Sequence, residues 1–226
     1  MELNTTAKEA NETAKQYAMR TLLDNIILLK LKPGEKLVES ELCDVCGLSR
    51  TPIREAILEL NQRRLIDIHP KQGTYVSHID PKSIAEFIEF RAVIEGKLSQ
   101  IACEVMTPAH IEHLRELLAL WRCHADSGNA SKMHYYDKAF HKYIYDCCNK
   151  QYWYHIVSSN MYQFDRVIML MQESNYNDLS DDHEKIVQAL AAKDKEAAYN
   201  IIVTHAYRFN DFKSILQAHY PEYFVH

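Results

Sequence analysis

An aspartate and a histidine stand four residues apart in a segment whose apolar residues recur at helical spacing. Asp137 and His141 are therefore expected on one face of a helix, about one turn apart, where they can bind one metal ion. A hydrogen bond between the two side chains on a helix surface is the alternative, and an isolated pair would favour it. The pair alone does not establish a metal site.

Two further histidines fall in helical segments that a bundle can bring to the same face. His183 follows the acidic start of one predicted helix, and His205 lies among apolar residues in the middle of another, where a buried imidazole requires a polar partner. One carboxylate and three neutral imidazoles leave open positions on an octahedral ion. Such nitrogen-rich ligation suits zinc, nickel or another late first-row metal. The spacing alone does not show that the four side chains converge.

A second candidate set is basic and lies near residue 50. The pattern predicts helices over 39–46 and 49–60, joined by a tight turn at Gly47, which is a helix-turn-helix arrangement. Arg50, Thr51 and Arg54 would project together from the second helix, where they can contact DNA phosphates or a guanine edge. A solvated helix face is the alternative interpretation.

Two short strands are predicted directly after these helices, over 65–68 and 74–77. They flank the turn 70–73, and this hairpin would form a wing with Lys71, Gln72 and Gly73 at its tip. Between residues 50 and 71 five basic residues stand against three acidic ones, a local excess of +2 within a chain of net charge −5. The positive charge is therefore local, which favours one DNA-binding surface over general polyanion binding.

Length and composition limit the class of protein. The chain has 226 residues, of which 47% are hydrophobic and 25% are charged, as in ordinary globular proteins of one or two domains. No apolar run approaches the roughly 18 residues that cross a bilayer, so no membrane partner is expected. The start of the chain carries no secretory signal, and the six cysteines lack a disulfide spacing. These features predict a cytoplasmic protein with free thiols.

Glycine and proline divide the chain into two parts. Both are concentrated between residues 33 and 73, whereas helical periodicity dominates after the Asp80-Pro81 helix start. We therefore expect a mostly α protein with an N-terminal winged helix-turn-helix domain over 1–80 and an all-α antiparallel helical bundle over 81–226. The bundle should contain six helices, or seven if one is kinked. The predicted helices span about 81–105, 107–128, 131–148, 151–173, 180–192 and 195–218.

The N-terminal part resembles the winged-helix domain of the GntR family of bacterial transcription regulators. The resemblance covers most of 15–78. It rests on the runs Leu-Lys-Pro-Gly-Glu-Lys-Leu-Val-Glu at 31–39, Ser-Arg-Thr-Pro-Ile-Arg-Glu-Ala at 49–56 and Pro-Lys-Gln-Gly-Thr-Tyr-Val at 70–76. It implies that Arg50, Thr51 and Arg54 bind operator DNA, while the wing tip at Gly73 approaches the adjacent minor groove.

The helical part resembles the ligand-binding FCD domain of the FadR subfamily over about 83–218. The resemblance rests on Asp137-x-x-Phe140-His141, on the segment after His183 and on His205. It implies that Asp137, His141, His183 and His205 hold a metal ion whose coordination a small organic carboxylate completes. Two pocket arginines are implied, Arg91 and Arg166. For Arg91, an ion pair with Glu95 four residues later is the alternative.

Together these features predict a metabolite-responsive regulator, a repressor as is usual in this family, that acts as a homodimer. A two-fold dimer requires a palindromic double-stranded operator. The cofactor is expected to be a divalent metal ion, zinc in the first place, with nickel or manganese as alternatives. A regulator that senses the ion itself is the first alternative function. A metal-dependent hydrolase is the second, but no nucleophile or general base stands beside the ligands, so the chain is not expected to be an enzyme.

Overall fold

The computed structural model describes residues 3–173 and 179–225 and divides into two compact units. The first unit comprises Met1–Pro81, Tyr162–Arg166 and Gln217–His226, and the second comprises Lys82–Met161 and Val167–Leu216. The protein is mostly α-helical with one small antiparallel sheet, which confirms the expected fold class. Among the described residues no helix has both the length and the hydropathy needed to cross a membrane.

Among the described residues before Pro81, the first unit forms three helices and three short strands. They are α1 (Ala14–Ile27), β1 (Lys36–Leu37), α2 (Glu39–Cys46), α3 (Arg50–Gln62), β2 (Ile66–His69) and β3 (Gly73–Val76). The strands form an antiparallel sheet in the order β1-β3-β2. Strands β2 and β3 are the two that the sequence predicts, whereas β1 has only two residues and gives no detectable alternation.

A left-handed glycine makes the turn between α2 and α3. Gly47 ends α2 with φ +63°, and the amide of Leu48 donates to the carbonyl of Cys43 over 3.0 Å. Helix α3 buries Ile53, Ala56, Ile57 and Leu60 against this unit's core. The burial of this stripe leaves the opposite face of α3 to solvent.

The chain from Tyr220 onward also belongs to the first unit. A 3₁₀ turn spans Pro221–Tyr223, and a parallel bridge then pairs Phe224 with Ile79. The amide of Ile79 donates to the carbonyl of Tyr223 over 2.8 Å, and the amide of Val225 donates to the carbonyl of Ile79 over 3.0 Å. Phe224 is buried, so this segment packs against the chain just beyond the wing.

Eight helices follow the wing among the described residues, rather than six or seven. They are α4 (Pro81–Val105), α5 (Pro108–Asp126), α6 (Ala130–Cys147), α7 (Gln151–Ser159), α8 (Tyr162–Glu173), α9 (Leu179–Ala191), α10 (Lys195–Tyr207) and α11 (Phe209–His219). The predicted helix over 151–173 is broken near Asn160, and that over 195–218 is broken at Arg208. Neither break contains glycine or proline, so the pattern gave no signal for it.

The larger apolar cluster of the second unit receives residues from α4, α5, α6, α9 and α10. Each of these helices contributes buried side chains to it; in the same order, examples are Leu98, Leu114, Phe140, Ile186 and Ile202. Their apolar sides face inward, and residues next to them in the helical repeat point into the same interior. The polar side chains that share this interior therefore need partners, and they form the candidate site.

Candidate metal centre

Three histidines from three helices converge inside the second unit. His141 comes from α6, His183 from α9 and His205 from α10, and each offers a ring nitrogen within 4.8 Å of the others. The Nε2 atoms of His141 and His183 lie 3.3 Å apart. All three side chains are buried. The sequence did not establish this convergence, because it depends on how the three helices pack.

Asp137 lies beside this group, one turn before His141 on α6. Its Oδ1 atom is 3.2 Å from Nε2 of His183, and its side chain is buried. Burial opposes ionisation, but the hydrogen bond from His183 and the nearby His141 hold the pKa of this carboxyl well below its usual range. Asp137 therefore brings a negative charge to the three imidazoles.

Two of the histidines are held in their neutral form. Burial lowers the pKa of His141 well below the ordinary value, and the charge of Arg91 lowers it further. Burial also lowers the pKa of His205. A neutral imidazole keeps a lone pair for a metal ion, so the protonation states as well as the positions fit a divalent ion. Three imidazoles and one carboxylate are the donor set of zinc and of other late first-row metals.

Arg91 on α4 is the cation of this site. Its NH2 atom lies 3.4 Å from Nε2 of His141, and its Nε atom donates to Oε1 of Glu95 over 2.9 Å. Tyr145 donates its hydroxyl to the same Glu95 oxygen over 3.3 Å. Burial alone would lower the pKa of Arg91, but Glu95 raises it above the usual value. The ion pair with Glu95 and a place beside the histidines are thus both present.

Arg166 is bound elsewhere, within the first unit. It is completely buried, and its NH1 atom donates to the carbonyl of Ser77 over 2.7 Å. Its NH2 atom donates to the carbonyl of His78 over 3.4 Å and contacts the amide oxygen of Gln163. Burial lowers the pKa of this guanidinium to about 9. These contacts give Arg166 a role in holding the chain after the wing, and its effector role stays a prediction.

Sequence reasoning did not assign a role to a second carboxylate of the site, Asp182. Its side chain lies 3.5 Å from Nδ1 of His205 and accepts two hydrogen bonds from Arg208. Position 182 directly precedes His183, but a neighbour of one ligand gives no sign that it faces another. Only the packing of α9 against α10 shows the contact.

The residues expected to contact DNA are exposed in the first unit. Three of them, Arg50, Thr51 and Arg54, lie in the first turns of α3, outside its buried stripe. Arg54 donates through Nε to Oε2 of Glu39 over 2.8 Å, and both side chains are solvent-accessible. Arg54 therefore has a charged neighbour that DNA phosphates would have to replace.

The wing tip carries the other three residues of this set. Lys71 and Gln72 are exposed in the turn between β2 and β3. Gly73 has φ +140°, and a Cβ atom there would lie 3.0 Å from Cε of Lys36 and 3.3 Å from the ring of Tyr75. Both the backbone conformation and the space therefore favour glycine.

Comparisons with known proteins agree with this arrangement. Residues 15–76 match the bacterial regulatory proteins of the gntR family, and residues 86–208 match the FCD domain. An uncharacterized HTH-type transcriptional regulator in an unstable DNA locus of Streptomyces ambofaciens is 29% identical over 97% of this chain and 93% of its own. The HTH-type transcriptional repressor RspR of Escherichia coli is 24% identical over 86% of each chain.

The fold has solved counterparts. The structure of E. coli McbR/YncC covers 92% of this chain and 99% of its own, with a TM-score of 0.75 and 22% identity. The FCD match alone spans more than half of the chain. The protein therefore belongs to the GntR family as a transcription regulator with a DNA-binding helix-turn-helix domain and an FCD effector domain.

Proposed function

We propose that this regulator is a homodimeric repressor of the FadR subfamily that responds to a small organic carboxylate. In this proposal residues 1–80 form the DNA-binding domain, and residues 81–226 form the effector-binding and dimerisation domain. Asp137, His141, His183 and His205 hold a divalent metal ion, zinc in the first place. The ion supplies a Lewis-acid position for one carboxylate oxygen of the effector.

The convergence of three buried histidines with Asp137 is the observation that carries this proposal. Four polar side chains in an apolar core are costly unless they bind something, because each loses its hydration. Arg91 adds a fixed positive charge 3.4 Å from His141. A guanidinium beside such a group of ligands favours an anionic ligand over a neutral one, since it can bind a carboxylate through charged hydrogen bonds.

The surface of the first unit supports the DNA-binding half. Arg50, Thr51 and Arg54 follow the glycine turn, and Lys71 and Gln72 extend the same set at the wing. A homodimer would present two such surfaces related by a two-fold axis, so the operator is expected to be palindromic. Repression is proposed from the likeness to RspR, whose name describes a repressor.

Metal content tests the ligand set. Elemental analysis after gel filtration should show bound metal in the wild type and less metal in each alanine variant of Asp137, His141, His183 and His205. His113→Ala is the matched control, because His113 is an exposed histidine that pairs with Glu116 over 2.9 Å. Native mass spectrometry of the same samples gives the dimer mass. Full metal content in any two of the four ligand variants would contradict this set.

Coupling to DNA tests the effector. An operator is first selected from random duplexes with the wild type, and its affinity is then measured by fluorescence anisotropy with a panel of mono- and dicarboxylates. A true effector should shift operator affinity by about 5- to 150-fold, and operator should shift effector affinity by the same factor. Chelator or Arg91→Lys should reduce the shift.

Two outcomes would lead to other functions. If zinc alone changes operator affinity and no acid adds to the change, the ion itself is the signal. If an acid binds tightly at the metal site without moving operator affinity in either direction, the second unit is a metal-stabilised dimerisation domain instead of a sensor.

A further inference from the structure

A chain of three side chains leads from the surface of the second unit to one of the histidines. Arg208 donates from Nε to Oδ2 of Asp182 over 2.7 Å and from NH2 to Oδ1 over 2.9 Å. Oδ2 of Asp182 also lies 3.5 Å from Nδ1 of His205. Asp182 and His205 are buried, whereas the Arg208 side chain is 33% exposed. Oδ2 of Asp182 thus accepts a bond from Arg208 and also faces the imidazole, whereas Oδ1 accepts the second bond from Arg208.

This geometry favours one tautomer of His205. A carboxylate only accepts hydrogen bonds, so the ring nitrogen that faces it is the one that carries the proton. Because the proton of a neutral imidazole then sits on Nδ1, the lone pair is left on Nε2. The two bonds from Arg208 offset the charge of the buried carboxylate and leave it an acceptor toward the imidazole.

We propose that Asp182, clamped by Arg208, is a positioning residue that fixes the His205 proton on Nδ1 and leaves Nε2 available to a metal ion. The inference rests on the proposed metal function and assigns no contact between Asp182 and the ion. Outer carboxylates of this kind orient ligand histidines and raise their basicity, and their loss typically lowers metal affinity by about 10- to 100-fold.

An asparagine at this position distinguishes orientation from simple charge attraction. Oδ2 of Asp182 accepts the shorter bond from Arg208 and also faces Nδ1 of His205, so an amide oxygen at that place keeps both roles while the NH₂ group replaces Oδ1. Asp182→Asn therefore loses the charge but keeps an acceptor for the Nδ1 proton. Asp182→Ala loses both the charge and the acceptor. Orientation therefore predicts a larger loss of metal affinity for Ala than for Asn, whereas charge attraction predicts equal losses.

Zinc affinity, measured by competition with a chromophoric chelator, is the first readout. We expect Asp182→Ala to lose about 10- to 100-fold and Asp182→Asn to lose less. Glu184→Gln is the matched control, because Glu184 is a neighbouring acid on α9 that pairs with Arg122 over 3.1 Å. Its affinity should equal that of the wild type. Equal losses for Asn and Ala would overturn the proposal.

A double variant separates orientation from structural damage. In Asp182→Asn with Arg208→Met the guanidinium is gone, but the amide still offers its oxygen to Nδ1. Metal affinity should then stay above that of Asp182→Ala, whereas damage to packing would bring the double variant down to Asp182→Ala or below it. Circular dichroism identifies any variant that fails to fold, and Asp182→Glu, which keeps a carboxylate, should likewise retain more affinity than Asp182→Ala.

The tautomer itself is the second readout and does not depend on metal binding. Long-range ¹H–¹⁵N spectra of histidine-labelled, chelator-treated protein, with His205 assigned by His205→Gln, should show Nδ1–H at His205 in the wild type and in Asp182→Asn. Nε2–H in the wild type would overturn the inference. Failure of the wild type to bind zinc, with Nδ1–H present, would instead refute the proposed metal function and leave the orienting contact established.

Discussion

Arg91 and Glu95 form a buried ion pair one turn apart on α4, with Nε of the arginine 2.9 Å from Oε1 of the glutamate. Each side chain is only 3% exposed. Glu95 thereby offsets the charge of a guanidinium that lies 3.4 Å from His141 of the candidate metal centre. The pair holds Arg91 in a place where a free cation would be costly to bury.

Loss of one partner of this pair should destabilise the protein strongly. We expect Glu95→Ala to lower the free energy of unfolding by about 3–5 kcal/mol, because Arg91 would remain buried without its counterion. Glu112→Ala is the control, since it breaks an exposed pair with Arg115 on α5 and should cost less than about 1 kcal/mol. Urea titrations of the three proteins measure both effects. Equal costs would contradict the buried pair.

Removal of the acid beside Arg54 should strengthen DNA binding. Glu39→Gln frees Arg54 from an exposed ion pair and also removes a negative charge close to the expected phosphates. Such a pair is worth up to about 1 kcal/mol, so operator affinity should rise by up to about fivefold. Anisotropy at fixed salt measures the gain. In an Arg54→Ala background, Glu39→Gln should raise operator affinity by a smaller factor. An equal rise in both backgrounds would show that Arg54 does not contribute to the effect.

Acidification should destabilise chelator-treated protein below about pH 6.5. Because burial lowers the folded-state pKa of His141 and His205, the unfolded chain binds protons that the folded chain does not. Stability is therefore present above the unfolded pKa and is lost as the pH falls from about 6.5, by up to about 1.4 kcal/mol per pH unit for each histidine. The lowered pKa of Asp137 affects stability only below about pH 3.8, the usual pKa of an aspartate side chain. The midpoints of urea unfolding at pH 7.5 and 5.5 measure this loss of stability. If His141→Gln lost more stability between these pH values than the wild type, the prediction would be contradicted.

A side chain at Gly47, in the turn between α2 and α3, should lower the stability of the protein. Gly47 has φ +63°, and a Cβ atom there would meet nothing within 4 Å. The cost of Gly47→Ala is therefore backbone strain alone, about 1–2 kcal/mol. Ser49→Ala should cost less, because the Ser49 side chain makes no capping hydrogen bond with α3. Thermal or urea unfolding measures both variants, and an Ala variant as stable as the wild type would refute the strain.

Local spacing explains which parts of the site could be predicted. Asp137 and His141 are four residues apart, so the helical repeat alone places them on one face. The contact between Asp182 and His205 joins two helices across 23 positions of sequence, and no local rule specifies it. The break at Asn160 has a related origin, since Ser158, Ser159 and Asn160 are only weak helix formers and neither glycine nor proline marks the position. Tertiary packing determined both features.

The first unit is assembled from three separate stretches of one chain. Its apolar core packs against Tyr162, which also accepts a hydrogen bond from Arg63 over 2.8 Å, and Ile79 pairs with Phe224. A ribosome that has synthesised residues 1–81 has therefore not yet supplied all the surfaces that complete this unit. The DNA-reading half of the regulator reaches its full set of contacts only when residue 225 has emerged, after the whole effector domain has been made.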